Sequence, residues 1–78
     1  MEIKILGSGC PNCKRLEKLA HAAAAELGIE ATFTKVQAFD QIMAYDITST
    51  PAMVVDEVVK VSGRVPRKSE IVALLQAE

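Results

Sequence analysis

The sequence predicts an α/β domain with the element order βαβαββα, in which a four-stranded mixed sheet carries helices on its faces. A short apolar segment at residues 2–6 is followed by a long amphipathic stretch at 11–27 and by a second strand-like segment at 29–36. Near the end, two short apolar segments are separated by only two residues. Parallel neighbours need a helical crossover and a two-residue loop joins antiparallel neighbours, so this order implies a mixed sheet.

The first strand and helix have the clearest signals. The opening apolar run ends at Gly7-Ser8-Gly9, a flexible turn. Pro11 suits the first helical position, because its missing N–H costs nothing there. Apolar side chains then recur at steps of three and four residues, and Gly28 can end the helix in the left-handed conformation. We therefore predict a helix over 11–27.

The central elements are a strand and a short helix. Residues 29–36 alternate apolar and polar side chains and are rich in β-branched types, which is typical of a strand. A short helix near 38–45 should follow, although Ala38 is a poor cap residue. Its helical spacing comes from Phe39, Ile42 and Met43, and Met43 is expected in the core.

The last three elements are a hairpin and a helix. Residues 52–55 form a strand, and Asp56-Glu57 separates it from a second strand at 58–61 by the length of a tight turn. The terminal helix begins either near 67 or at 70, in which case Ser69 is its cap.

Length and composition limit the function classes. At 78 residues and 8.4 kDa the chain has room for one domain, residues 1–78. A net charge of −1 gives no overall positive field for nucleic acid. No apolar run approaches the roughly 20 residues of a membrane helix, and the start lacks a secretory signal. We expect a cytoplasmic monomer without nucleic-acid or membrane partners.

The two cysteines carry the chemical signal. Cys10-Pro11-Asn12-Cys13 places two thiols across the first turn of the predicted helix, within reach of a disulfide. Unpaired N–H groups and the helix dipole should lower the pKa of Cys10 below the free value of about 8.5. Cys13, one turn inside, is better placed to attack a mixed disulfide.

Other uses of the same thiols stay open. A structural zinc needs four ligands, and His21 is the only further nitrogen or sulfur donor of the usual kind. We therefore expect no such metal site and place His21 on the polar helix face. Two-coordinate binding of copper(I) or mercury(II) by a carrier module is the main alternative. An interaction domain whose disulfide never turns over is the third.

Three features in this order resemble a known family. The cysteines follow strand one, Thr50-Pro51-Ala52 precedes strand three, and Gly63 follows the hairpin. The chain is similar to thioredoxin-fold proteins, most of all to the small thioredoxin-like redox-disulfide proteins of archaea and bacteria, which have glutaredoxin-like size. The resemblance covers essentially the whole chain.

The resemblance implies a thiol–disulfide oxidoreductase in which Cys10 attacks and Cys13 resolves. It also implies that Thr50–Pro51 is a cis peptide facing the disulfide and that the Thr50 backbone pairs with an extended substrate segment. Gly63 would let the substrate backbone pass close by. No cofactor beyond a redox-active Cys10–Cys13 disulfide is implied.

Departures from the family pattern refine the expected chemistry. The tryptophan before the first cysteine of thioredoxins is replaced by Gly9, and their buried acid six residues before it is replaced by Lys4, which argues against a proton relay by that route. The segment around Gly63 has one glycine and no acid, unlike glutathione-binding glutaredoxins. We expect protein disulfides as substrates and a separate, unidentified reductase.

Overall fold

The computed structural model describes residues 1–7, 9, 11–47 and 49–77. The cysteine at position 10 therefore lies outside the described residues. The secondary structure confirms the predicted order βαβαββα. The elements are β1 (Glu2–Leu6), α1 (Pro11–Leu27), β2 (Thr32–Val36), α2 (Phe39–Met43), β3 (Ala52–Val55), β4 (Val58–Ser62) and α3 (Lys68–Gln76).

The four strands form one mixed sheet in the order β2-β1-β3-β4. The α1 crossover makes β1 and β2 parallel, whereas β3 runs antiparallel to both β1 and β4. A bulge interrupts the last pairing between Met53 and Val54. The predicted α/β class with a mixed four-stranded sheet is thus confirmed.

Strand β2 is shorter than predicted, because the alternation that begins at Ile29 becomes a ladder only at Thr32. The register pairs Thr32 with Glu2, the first residue of β1. The residues that precede β2 therefore have almost no β1 backbone to pair with. Ile29 and Ala31 instead pack against the core from a loop, which satisfies the apolar pattern without strand hydrogen bonds.

Helix α1 has the ends that its sequence indicates. Pro11 is its first residue. At the other end Gly28 has φ of 67°, the left-handed conformation that glycine adopts without a steric penalty. The N–H of Ile29 donates to the Ala24 carbonyl at 3.2 Å, so the chain leaves the helix with its last carbonyls partly satisfied.

Helix α2 has only five residues and buries only one of them. Ala38, its N-cap, makes no side-chain cap hydrogen bond. Ile42 is buried, but Phe39 is 76% exposed and Met43 is 49% exposed. The expectation that Met43 belongs to the core is therefore wrong, because one short turn presents a single face to the sheet.

The C-terminal hairpin and helix follow the first of the two alternatives. Asp56 and Glu57 both have positive φ, as a two-residue hairpin turn of type I′ requires. Helix α3 begins at Lys68 rather than at residue 70, and its cap is Arg67. The Arg67 N–H donates to the Glu70 carboxylate at 3.4 Å.

Apolar side chains cover both faces of the sheet. On one face α1 and α3 pack over Ile3, Ile5, Met53, Val55 and Val61. On the other, the α2 segment covers Leu6, Val36, Ala52 and Val54. None of the helices formed by the described residues combines the length and apolar character that a membrane crossing needs.

Candidate redox site

Cys13 lies in the first turn of α1 and faces the sheet. It is the third helical residue, and only 5% of it is exposed. Its sulfur is disulfide-bonded. Cys10 lies outside the described residues, so its place at the helix cap and its pairing with Cys13 stay predictions.

Gly7, the residue after β1, forms the floor beneath Cys13. It is buried, and its N–H donates to the Val36 carbonyl at 3.0 Å, which extends the β1–β2 pairing. A Cβ built on Gly7 would overlap the Cys13 Sγ and lie 3.1 Å from the Cys13 Cβ. A side chain at position 7 and Cys13 in its present place are therefore incompatible.

The Thr50–Pro51 segment borders the same spot from the β3 side. The peptide bond between them is cis. The Cβ built on Gly7 would lie 3.9 Å from the Thr50 Cβ, so Thr50 and Cys13 both border Gly7. Thr50 is exposed, whereas Pro51 is buried. The structure thus brings a predicted substrate-binding residue close to a predicted reactive cysteine.

Gly63 packs against the segment that leads into Pro51. Its N–H donates to the Pro51 carbonyl at 2.9 Å, and its φ is 78°. A Cβ at position 63 would lie 2.5 Å from the Ser49 Oγ, well inside contact distance. The positive φ therefore favours glycine at this position for the fold itself, whatever further part Gly63 has in binding substrate.

Two depressions flank this arrangement. A small hollow of ≈ 50 Å³ lies beside Cys13, and Lys35 and Glu17 at its rim form an ion pair at 3.5 Å. A larger groove of ≈ 240 Å³ lies beside Thr50. We call it the α2 groove; its lining includes Phe39, Ile42, Met43, Ile47, Ser49 and Thr50.

Lys4 occupies the strand position where thioredoxins carry their buried acid, and it faces the α2 side of the sheet. Its Nζ donates to the Tyr45 Oη at 2.8 Å and to Glu57 Oε1 at 2.5 Å. These bonds, that to Glu57 first, raise the pKa of Lys4, and the Lys4 amine lowers the pKa of Glu57. The charges of Lys4 and Glu57 are thus paired with each other. Together with Tyr45, these residues connect β1 with the β3–β4 turn and with the turn after α2.

Within the residues that the structure describes, no group of three or more histidine, cysteine, aspartate or glutamate side chains could hold a metal ion. His21 is exposed, and its ring stacks on Phe33 with centroids 3.7 Å apart. A two-coordinate soft-metal site would need only the two cysteine sulfurs.

The sequence points to the cysteines and to the Thr50–Pro51 segment, but it does not predict three features of the structure around them. The sequence places Gly7 in a flexible turn, gives no sign that Gly63 lies close to the Ser49 side chain, and assigns Met43, which α2 exposes, to the core. A usable signal for Gly7 was its place at the end of a buried strand, where a helix residue must cross close to the backbone.

A mixed sheet of this order, with a cysteine in the first turn of its first helix beside a cis-proline segment, is typical of thioredoxin-like redox proteins. Residues 1–76 match the family described as "Thioredoxin domain". The protein named Thioredoxin from Methanothermobacter thermautotrophicus is 47% identical over 75 residues, which cover 96% of this chain and 97% of that protein. The Thioredoxin of Methanocaldococcus jannaschii is 35% identical over 69 residues, covering 88% and 79%. The chain belongs to the thioredoxin family of thiol–disulfide oxidoreductases.

Proposed function

We propose that this protein reduces disulfide bonds of protein substrates through a dithiol formed by Cys10 and Cys13. The observation that carries the proposal is the position of Cys13. It is nearly buried in the first turn of α1, and it borders Gly7, as Thr50 does. A resolving thiol needs such a place, because it must meet a mixed disulfide on Cys10 while being shielded from substrates.

The reaction has two exchange steps. The Cys10 thiolate attacks one sulfur of the substrate disulfide, and the second substrate sulfur leaves as a thiolate. Cys13, as a thiolate, then attacks the Cys10 sulfur of the mixed disulfide and releases the first substrate sulfur. The substrate gains two electrons and two protons, and the protein ends with a Cys10–Cys13 disulfide. A dithiol reductant, supplied in the cell by a separate reductase, reverses this oxidation.

Substrate would lie along the exposed edge made by Thr50, Gly63 and the α2 groove. Thr50 offers backbone groups to an extended segment, and Gly63 carries no side chain to obstruct it. The groove adds exposed apolar surface from Phe39 and Met43 next to Thr50. Such a surface suits extended polypeptide better than the charged tripeptide glutathione. We place this activity in the cytoplasm, where thiols are kept reduced.

Two single substitutions test the roles of the two cysteines separately. Cys10→Ser should abolish reduction of insulin disulfides by dithiothreitol-driven turnover, whereas Cys13→Ser should retain the first step and accumulate mixed disulfides on Cys10. Both substitutions replace one sulfur by one oxygen, so each is the matched control of the other. A Cys10→Ser variant that reduces insulin as fast as wild type would contradict the proposal.

A metal carrier would give different results in a disulfide-reduction assay and in a copper(I) titration. We expect wild-type protein to turn over disulfides and to lose copper(I) to a chelator of moderate affinity in a competition titration. Stoichiometric copper(I) retention together with an absence of disulfide turnover would overturn the assignment of the cysteines to redox chemistry.

A further inference from the structure

We propose that Gly7 is a positioning residue that favours the disulfide form of Cys13, and that any side chain at position 7 shifts the equilibrium toward the dithiol. This inference rests on the proposed function, since it concerns the same reversible disulfide. Gly7 has no functional group of its own, yet its lack of a side chain has a measurable effect on the redox equilibrium.

The backbone at Gly7 has little freedom to retreat from Cys13. Its N–H is held by the Val36 carbonyl at 3.0 Å, and the residue is buried. Gly7 is also absent from the glycines with positive φ, so an alanine would meet no backbone strain. The penalty for a methyl group at this position is therefore a contact penalty, and its partner is Cys13.

That contact has two parts, which depend differently on redox state. The position of the Cys13 Cβ, 3.1 Å from the added methyl carbon, is set by the helix backbone and is the same in both states. The Sγ overlap depends on the χ1 rotamer of Cys13. A disulfide bond fixes that rotamer, whereas a free thiol can rotate away. The sulfur overlap thus penalises the oxidised protein and is largely relieved in the reduced one.

The equilibrium to be measured is protein disulfide plus two glutathione thiols giving protein dithiol plus glutathione disulfide, a transfer of two electrons. We expect Gly7→Ala to shift its constant toward the dithiol by at least tenfold, which corresponds to about 30 mV for a two-electron couple. Quenching glutathione buffers of graded composition with acid and counting alkylated thiols by mass gives the constant directly.

Gly28→Ala is the matched control. It is the same substitution, and it brings backbone strain because φ is 67°, but its Cβ would meet no atom within 4 Å. We expect it to lower the stability of oxidised and reduced protein equally and to leave the equilibrium constant within twofold of wild type.

A second measurement covers the case in which oxidised Gly7→Ala does not fold. In a Cys13→Ala background the sulfur is absent, so Gly7→Ala should destabilise that protein much less than it destabilises oxidised wild type in urea titrations. Equal destabilisation in both backgrounds, or an unchanged glutathione equilibrium, would overturn the inference while leaving the proposed function intact. If wild type itself forms no reversible disulfide in these buffers, the proposed function fails and this inference fails with it.

Discussion

At the scale of single residues, two positions beside the candidate site favour glycine for different physical reasons. Gly7 lacks a positive φ and is required by the nearby Cys13 sulfur, whereas Gly63 combines positive φ with a position where a Cβ would meet the Ser49 side chain. The two causes can be separated experimentally, because backbone strain depends on one residue alone, whereas a close contact depends on both of its partners.

Gly63→Ala should lower the free energy of unfolding by about 1–3 kcal/mol for the left-handed backbone alone, and by more through its overlap with the Ser49 Oγ. Ser49→Ala removes that oxygen and leaves the Cβ at 3.8 Å, an ordinary contact. In the double variant Gly63→Ala/Ser49→Ala, the loss of unfolding free energy should fall to that of Gly28→Ala, which has backbone strain without a close contact. Urea titrations of the three single variants and the double variant test this, and additive losses would contradict it.

Cys10 should be the more acidic cysteine. It immediately precedes Pro11, the first residue of α1, whose first turn contains no acidic residue, and Lys14 and Arg15 follow. In a Cys13→Ser variant, the rate of iodoacetamide alkylation of Cys10 should reach half its maximum at a pH below the free thiol value of about 8.5. Unfolding the same variant in urea should restore an ordinary titration. A midpoint that is the same folded and unfolded would argue against activation by the helix.

The sequence predicts residues whose effect is local and fails for those whose effect depends on a distant partner. Pro11 and Gly28 act on their own helix, and both behave as predicted. The need for glycine at position 7 depends on a sulfur that α1 brings back over the strand. No periodicity within residues 2–9 encodes that approach, and the place of Gly7 at the end of a buried strand indicates it only indirectly.

At the scale of elements, α2 exposes apolar surface where a short helix would ordinarily bury it. Phe39→Ser should leave the free energy of unfolding within about 0.5 kcal/mol of wild type, because the ring is 76% exposed. It should raise the KM for insulin several-fold without changing the reduction of a small aromatic disulfide, since only a polypeptide reaches from Thr50 into the α2 groove.

Val58→Ser is the control for that prediction. Val58 is another exposed apolar residue, 53% accessible, but it starts β4 and pairs with Val55 at the opposite end of the sheet from Gly7. An equal rise in KM for both variants would show that general surface hydrophobicity, and not the α2 groove, contributes to substrate binding.

The Lys4 cluster links β1, the β3–β4 turn and the turn after α2, and its stability should depend on pH. Glu57 has a lowered pKa when folded, so its contribution is complete above the unfolded value of about 4.3 and is lost as the pH falls through the folded value. Lys4 has a raised pKa, so its contribution is lost only in strong alkali.

Urea midpoints of wild type and Glu57→Gln measure this dependence. We expect wild type to be the more stable at pH 7 and the difference to shrink as the pH falls below about 4. Glu30→Gln, a substitution in the exposed loop before β2, should show no such convergence. A difference that stays constant from pH 7 to pH 3 would mean that the charge of Glu57 contributes nothing.

Element boundaries show a similar division between local and distant causes. The order of elements and the type of each were predictable, because they follow from periodicity and turn residues. The start of β2 was not, since the register with Glu2 decides where a ladder can begin. The exposure of Met43 escaped prediction for a related reason: the length of α2 decides how many of its faces meet the sheet.

At the scale of the whole molecule, the sheet separates a thick apolar layer under α1 and α3 from a thinner one under the α2 segment. The site lies where β1 ends, close to the start of α1, while Ile71 packs from α3 into the thick layer. Global stability and redox chemistry should therefore respond to different substitutions, although the chain has only 78 residues.

Ile71→Ala tests that separation. Ile71 is fully buried, so its truncation should lower the free energy of unfolding by about 2–5 kcal/mol, seen as a lower urea midpoint with an unchanged slope. Val72→Ala, on the same helix but only partly buried, should have a smaller effect. At a temperature where both variants remain folded, insulin reduction per molecule should match wild type, because neither residue borders Gly7, Cys13 or Thr50. If activity fell in proportion to stability in both variants, the α3 layer would have to be part of the redox site.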